Sequence, residues 1–439
     1  MAHPNQRALI LLLGSNAIAE FAHGILMLAI PWYFADTLGH PELFGVLFAV
    51  VTFASLFWSL FGGTLIDRFS RKRVLVGLNL LAGTLIGGIA LWGEQMGSIP
   101  VILVCLGFTI TVFNFNIHYP SLYAFAQEIS DKGHYARTNS LIEVQGQATR
   151  MAASAIAALL LAGTGEAGPF LRELLPFSFS AWTLPELFAL DAWAYGATLL
   201  FLLPINYQRI EERIVDRGSV QERLKTGVRF LRANPLLFHF GNASYIIFLF
   251  VILQAYFLMP VYIKDHLGMN ADVYGIGEAL FAFGAIGAGY YVRSLMKKVP
   301  SVPAIIASML LSGAVFLCCV WTRSFWVFMG FNLFLGISNS ATRVMRITYL
   351  FERVPNGVIG RTNSVFQAIN ILLRSLFTSL FAIPFFTEAR GITSAYLISG
   401  LAILIGCLPL IYHRRQLQDL DVRDLRFRKA VGAPCDEDN

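Results

Sequence analysis

Twelve stretches of about twenty mostly apolar residues, separated by short charged or Pro/Gly-rich breaks, run through this chain. They fall at 8–35, 43–66, 73–95, 100–127, 138–164, 186–206, 235–263, 273–296, 302–322, 325–352, 361–386 and 392–412. A helix of that length satisfies its own backbone while crossing a hydrocarbon layer about 30 Å thick. Runs such as Leu9–Leu13 and Leu199–Leu203 do not alternate as the strands of a membrane barrel must. The expected fold class is an all-α polytopic membrane protein of twelve transmembrane helices. Composition agrees, with 56% hydrophobic and 14% charged residues, against about 25% charged in soluble domains. A secreted disulfide scaffold, a cytosolic enzyme and a nucleic-acid binder are excluded, despite the net charge of +6.

The first apolar stretch continues past Pro31 without a small-residue cleavage site, so it reads as a span that stays. Lys and Arg then set the orientation. Arg68, Arg71, Lys72 and Arg73 share one side with the basic segment 207–234 and the basic tail, whereas Arg172, Lys264, Arg323 and Arg390 lie on the other. Both termini are therefore expected in the cytoplasm, in a bacterial-type inner (plasma) membrane. The domain reading is a six-helix bundle over 1–206 with an outer-face insertion at 165–185, a cytoplasmic linker at 207–234, a second six-helix bundle over 235–413 and a cytoplasmic tail at 414–439. The insertion is too polar and Pro-broken to span, and Phe177, Phe179 and Trp182 suit an interfacial depth.

The halves repeat. Arg137-Thr-Asn-Ser-Leu141 recurs as Arg361-Thr-Asn-Ser-Val365, and the same offset carries Glu128 to Glu352 and Arg150 to Arg374. Parallel repeats of this kind build transporters that rock one bundle against the other around a midplane site. The loop Gly63-Thr-Leu-Ile-Asp67-Arg68-Phe-Ser-Arg71-Lys72-Arg73 resembles the cytoplasmic gate motif of the major facilitator superfamily, with a weaker copy at Gly289–Lys298. Within that superfamily the chain is similar to the macrolide-efflux and enterobactin-exporter branch, through Ala29-Ile-Pro31, Asn139-Ser-Leu141 followed by Arg150, and Leu190-Asp191-Ala192. It departs where that branch has Gly-Asp-Gly in the first helix and Gly-Pro after the fifth-helix Arg, carrying Ala22-His23-Gly24 and Ala153-Ser154 instead. The resemblance implies two pseudo-symmetric six-helix bundles, alternating access, and Gly63, Asp67, Arg68, Arg71 and Lys72 as a cytoplasmic gate.

Charges inside the spans mark the candidate site, because an ionisable group in hydrocarbon normally faces protein or a watered cavity. Arg150 and Arg374 stand thirteen residues from Arg137 and Arg361, about 20 Å along a helix. Glu143, Gln147 and Arg150 follow i, i+4, i+7 and share one helix face. Arg343 and Arg346 are expected to line the inner half of the path as an anion-binding wall, since guanidinium forks suit carboxylates and phosphates. Their alternative role is pairing with Glu143, Asp191 or Glu278 to hold helices together. The proton-coupling candidates are Glu20, His23, Glu143 and Glu278, with His near neutrality by its intrinsic value. His118 and His239 read as ordinary polar residues of a bundle. The substrate-binding expectation is Arg343, Arg346, Arg150, Arg374 and Gln147.

Cys105, Cys318, Cys319 and Cys407 sit in apolar runs and Cys435 stands alone, so no metal or redox pair is expected. No phosphate-binding glycine loop or nucleophile motif occurs. The functional expectation is a secondary active transporter without cofactor or metal, not an enzyme. It is expected to be a monomer in the lipid bilayer, binding a small-molecule substrate, anionic and siderophore-like, with protons as coupling partner and no nucleic acid. The alternatives are a multidrug exporter of amphipathic or cationic compounds and a lipid flippase.

Overall fold

The computed structural model describes residues 5–130, 135–166, 179–208, 220–296, 298–388 and 391–420. Its long helices come in two sets of six. The first set is α1 (Gln6–Trp32), α2 (Pro41–Arg68), α3 (Arg71–Met96), α4 (Val101–Ile129), α5 (Tyr135–Glu166) and α6 (Leu184–Leu202). The second is α7 (Pro235–Leu253), α8 (Ala271–Met296), α9 (Ser301–Trp321), α10 (Phe325–Arg353), α11 (Asn356–Phe381) and α12 (Gly391–Tyr412). Nine long helices among the described residues are apolar enough to cross a membrane. The other three, α5, α6 and α10, carry charged residues within their apolar stretches: Glu143 and Arg150, Glu186 and Asp191, Arg343 and Arg346.

Local chemistry starts and stops these helices. Ser70 caps α3, its hydroxyl accepting from the Arg73 amide, and Gly97 closes the same helix in the left-handed region at φ 75°. Thr183 and Glu186 form a capping box at the start of α6. The sequence pattern places the eleventh helix at 361–386, but α11 begins at Asn356 directly after Pro355 and ends at Phe381. Pro384 starts a separate short helix, Pro384–Thr387, because proline suits a first helical position and cannot continue the preceding helix. Beyond Leu253, α7 runs on through π-helical turns at Gln254–Leu258 and Tyr262–Leu267, and α1 ends in another at Tyr33–Thr37. Each turn advances the helix by an extra residue and rotates the side chains beyond it.

Within the first set, α1 packs on α4, α5 and α6, and α3 on α4 and α6. Within the second, α8 packs on α10, α9 on α10 and α12, and α7 on α11 and α12. The sets meet along two seams, α5 against α8 and α2 against α11, with α1 touching α8 between them. The linker contributes a helix at Val220–Ala233 that buries Phe230 and Leu231. It lies against α11 closely enough that a Cβ on Gly227 would stand 2.5 Å from the Arg361 carbonyl oxygen. One face of this helix is packed, because its apolar residues recur at helical spacing, and the other face, with Lys225, Arg229 and Arg232, is exposed. Residues 209–219 of the linker, 167–178 of the insertion and 421–439 of the tail lie outside the described residues. The segment leading into α6 folds back over the end of α5. The Trp182 amide donates to the Leu160 carbonyl at 2.7 Å, over Gly163 at φ 60°.

The outer surface is apolar, as contact with lipid requires. Phe53, Phe57, Leu200, Phe283 and Ile405 are all exposed. Trp321 and Trp326 stand 76% and 79% exposed at one end of the molecule, and Tyr412 84% exposed at the other, the placement of interfacial aromatics. The second of these ends carries the Arg68–Arg73 loop and is termed the basic end; the first is the far end. One buried apolar cluster crosses from set to set through Phe34, Phe44, Phe48, Phe257 and Tyr274 at the far half. A separate cluster around Leu12, Leu75, Phe125 and Ile142 lies wholly within the first set at the basic end.

A charged cavity between the two bundles

Between the bundles lies a cavity of 420 Å³ walled by residues of both, within the usual size range of small-ligand sites. Its surface is mostly apolar, with Phe48, Phe115, Tyr119, Phe248, Tyr256 and Phe281 among the lining residues. Glu20, His23, Gln147 and Arg150 face it from the first bundle, and Glu278, Arg343 and Arg374 from the second.

Glu20 sits on α1, 2% exposed, and neither carboxylate oxygen has a hydrogen-bond partner. Gly146 on α5 makes room for it: a Cβ there would stand 2.9 Å from Glu20 Oε2. One turn on, the His23 ring stacks on Phe115 with centroids 4.5 Å apart. Across the cavity, Glu278 Oε1 on α8 and Arg374 Nε on α11 are also buried without a partner. Arg150 stands within electrostatic reach of Glu20, Glu143 and Glu278.

Glu143 is committed elsewhere. Its Oε1 accepts from Arg343 Nη2 in an ion pair that bridges α5 to α10, and so one bundle to the other. Gln147 Nε2 donates to the same oxygen at 3.1 Å, and Tyr123 donates to Oε2 at 3.4 Å.

The expected wall of two neighbouring arginines is not built. Arg343 is neutralised by Glu143, and Arg346, 4% exposed, is not among the lining residues. Its guanidinium lies 3.5 Å from the Tyr245 ring centroid and Nη1 donates to the Ser244 carbonyl at 3.0 Å. Three residues along a helix leave two side chains about 60° apart, and here that angle turns Arg346 from the cavity onto α7. Asp191, the other acid considered as a partner, is buried on α6 at 2% exposure with Oδ2 unpartnered. His118 bonds Asn16 at 3.2 Å, and His239 stacks on His413 with centroids 5.6 Å apart.

At the basic end, Arg71 Nη1 donates to Glu128 at 2.9 Å, and Tyr207 donates to the other oxygen of the same carboxylate at 3.1 Å. Lys72 Nζ caps the end of α6 through the Leu203 and Ile205 carbonyls at 2.7 and 2.9 Å, as cations do at helix C-termini. Arg68 is exposed, and the surroundings of Gly63 and of the Asp67 side chain lie outside those described.

The far end is closed across both seams. Lys264 Nζ, at the end of the α7 segment, donates to the Ala35 and Asp36 carbonyls, each at 2.9 Å, and stands 3.2 Å from the Asp36 carboxylate. Phe44 and Phe48 of α2 meet Phe257 and Tyr256. The close approaches are made by glycines. Gly45 faces Phe257 and Ala382, and Gly275 faces Ser154 and Ala158. Among the described residues, no group of three or more potential ligand residues could hold a metal ion.

A family model described as the Major Facilitator Superfamily matches residues 12–378 and 257–427. The chain belongs to that superfamily. The transporter is 22% identical over 92% of its length to macrolide efflux protein A of Streptococcus pyogenes, of which 95% is covered. The multidrug efflux pump Tap of Mycobacterium bovis is 23% identical over 96% of the transporter and 97% of the pump. A bacterial homologue of the human lysosomal transporter Spinster, solved inward-facing and unoccupied, superposes with TM-score 0.69 at 12% identity, covering 95% of this chain and 98% of that one. The transporter's cavity also holds residues that sequence reasoning passed over. Tyr256 is brought to the centre by the Gln254–Leu258 π-turn, and Asn116 donates to Ser55 at 2.9 Å on the cavity wall. Tyr256 carries no signal in an apolar run, because a π-turn shifts which residue faces inward without changing composition, whereas Asn116 does carry one, as a polar side chain within the apolar span of α4.

Proposed function

We propose that this transporter is a proton-coupled exporter of amphipathic compounds, acting as a monomer in a bacterial-type inner membrane with both termini in the cytoplasm. The observation that carries the reading is the cavity wall: an aromatic, mostly apolar surface on which charges of both signs are set. An apolar body is desolvated against such a wall, and a few charges fix its orientation. Support also comes from the efflux proteins that resemble the chain over nearly its whole length. The basic end meets the positive-inside rule if it faces the cytoplasm. The far-end closure then makes this the inward-facing state, in which a compound enters from the cytoplasm or inner leaflet. A single chain supplies the whole cavity, so one copy is enough. Glu20 and Glu278 are the proton carriers of this reading, because each is a cavity carboxylate with an oxygen left unpartnered. His23, held by Phe115, stands beside Glu20 as the relay.

The test is reconstitution. Proteoliposomes loaded with ethidium should move it against its gradient when a pH difference is imposed, and a protonophore should abolish accumulation. Glu20→Gln combined with Glu278→Gln should remove uphill movement, and any downhill movement that remains should no longer depend on the pH difference. Uphill movement that survives the double substitution would place the coupling group elsewhere, and no movement of any amphipathic dye by the unaltered protein would sink the export reading.

A further inference from the structure

The cavity's four uncommitted charges are divided by position. On the α1–α5–α8 side, the carboxylates of Glu20 and Glu278 share a single guanidinium, Arg150, as their electrostatic neighbour. With both carboxylates ionised, that side carries one negative charge more than its guanidinium balances. On α11, at the other seam, Arg374 lines the cavity with Nε unpartnered and has Tyr256, but no carboxylate among the described residues, within electrostatic reach. That side carries one positive charge in excess. Arg343 and Glu143 cancel each other and leave this division unaltered. Tyr256 stands within electrostatic reach of Glu20, Glu278, Arg150 and Arg374 alike, and aromatic residues complete the wall.

A ligand carrying only a cation would meet the carboxylate side and leave Arg374 desolvated and unpaired, which is costly in a closed site. An anion alone would pair with Arg374 but leave the carboxylate side without a cation, so that side would have to take up a proton. We infer, resting on the export reading, that the substrates are zwitterionic amphiphiles whose amine is taken by a carboxylate of the first side, Glu20 or Glu278, and whose acidic group is taken by Arg374 across an apolar body. Held by Glu20 on α1 and Arg374 on α11, such a molecule touches both bundles at once. It also completes charge-assisted hydrogen bonds at each end, which are stronger than neutral ones.

Three probes with one aromatic body separate the possibilities: 4′-(aminomethyl)biphenyl-4-carboxylic acid, a zwitterion with its charges at opposite ends; its methyl ester, a cation; and its N-acetyl form, an anion. Binding is followed by isothermal titration calorimetry on the full-length protein in detergent micelles, and export by proteoliposome flux. The zwitterion should bind at least about tenfold tighter than either derivative. Arg374→Gln should bring zwitterion and ester to the same affinity, and Arg374→Lys should restore part of the preference because charge returns without the fork. Thermal unfolding of each variant separates loss of binding from loss of fold, and the preference itself is read on the unaltered protein. If the ester binds as tightly as the zwitterion and is exported, the inference is overturned while the export reading stands. If the acetyl form matches the zwitterion, the amine site is wrong and the inference falls. If none of the three binds and ethidium is not moved either, both fall.

Discussion

Gly275 offers the most direct handle on the alternating cycle. It lies on α8 facing α5 of the other bundle, where an added Cβ would stand 2.5 Å from the Ser154 carbonyl oxygen, 3.2 Å from Ala158 Cα and closer still to Ala158 Cβ. Ordinary contact between such atoms is about 3.5–4.0 Å, so Gly275→Ala forces the seam apart by about 1 Å. Two of these neighbours are backbone-borne and cannot swing away. Overpacking of this kind costs about 1–3 kcal/mol. The cost falls on the state with the far end closed and vanishes once α5 and α8 separate there. The closed-to-open ratio should therefore move about 5–150-fold toward far-end opening. Spin labels at His40 and Asn270 report the far end, and labels at Arg68 and Arg415 report the basic end. The first distance distribution should lengthen while the second shortens. Gly287→Ala on the same helix is the control, because nothing lies within 4 Å of a Cβ there. Unchanged distances at both ends in a folded Gly275→Ala protein would refute the idea that this contact closes the seam.

Glu143→Gln removes the partner of Arg343 and leaves an uncompensated guanidinium on the cavity wall; affinity for the N-acetyl probe should rise several-fold, and Arg343→Gln should shift preference toward the ester. No change in either would show that the pair does not set the field in the cavity. Lys264→Met removes two bonds to the end of α1 and the ion pair to Asp36. Because the pair is partly exposed, the loss should be about 1 kcal/mol, a smaller lengthening of the His40–Asn270 distance than Gly275→Ala produces.

Much of the architecture is dictated by composition along the chain. Twelve apolar segments of spanning length leave a helix few alternatives in lipid, since every backbone group must be satisfied within its own segment. The run of Lys and Arg at 68–73 distinguishes the two ends, and the Arg137/Arg361 repeat marks two like halves. The stripe Glu143, Gln147 and Arg150 is turned toward protein and cavity because its spacing matches the helical period and charge is excluded from hydrocarbon. These are properties of a segment and its solvent, and they can be read before any helix meets another.

The cavity's electrostatics belong to the tertiary structure. Arg343 and Arg346 look alike in sequence, yet one pairs across the bundles with Glu143 and the other stacks on Tyr245. The π-turns of α1 and α7 rotate Asp36, Tyr256 and Lys264 into cross-bundle positions that a regular helix would not give them. Gly45 and Gly275 read as ordinary membrane-helix glycines until α2 meets α11 and α5 meets α8. Partner choice depends on the crossing and rotation of packed helices, which arise from contacts distant in the chain. A difference of about 60° around a helix axis, invisible to hydropathy, decides whether an arginine meets the substrate path or the core.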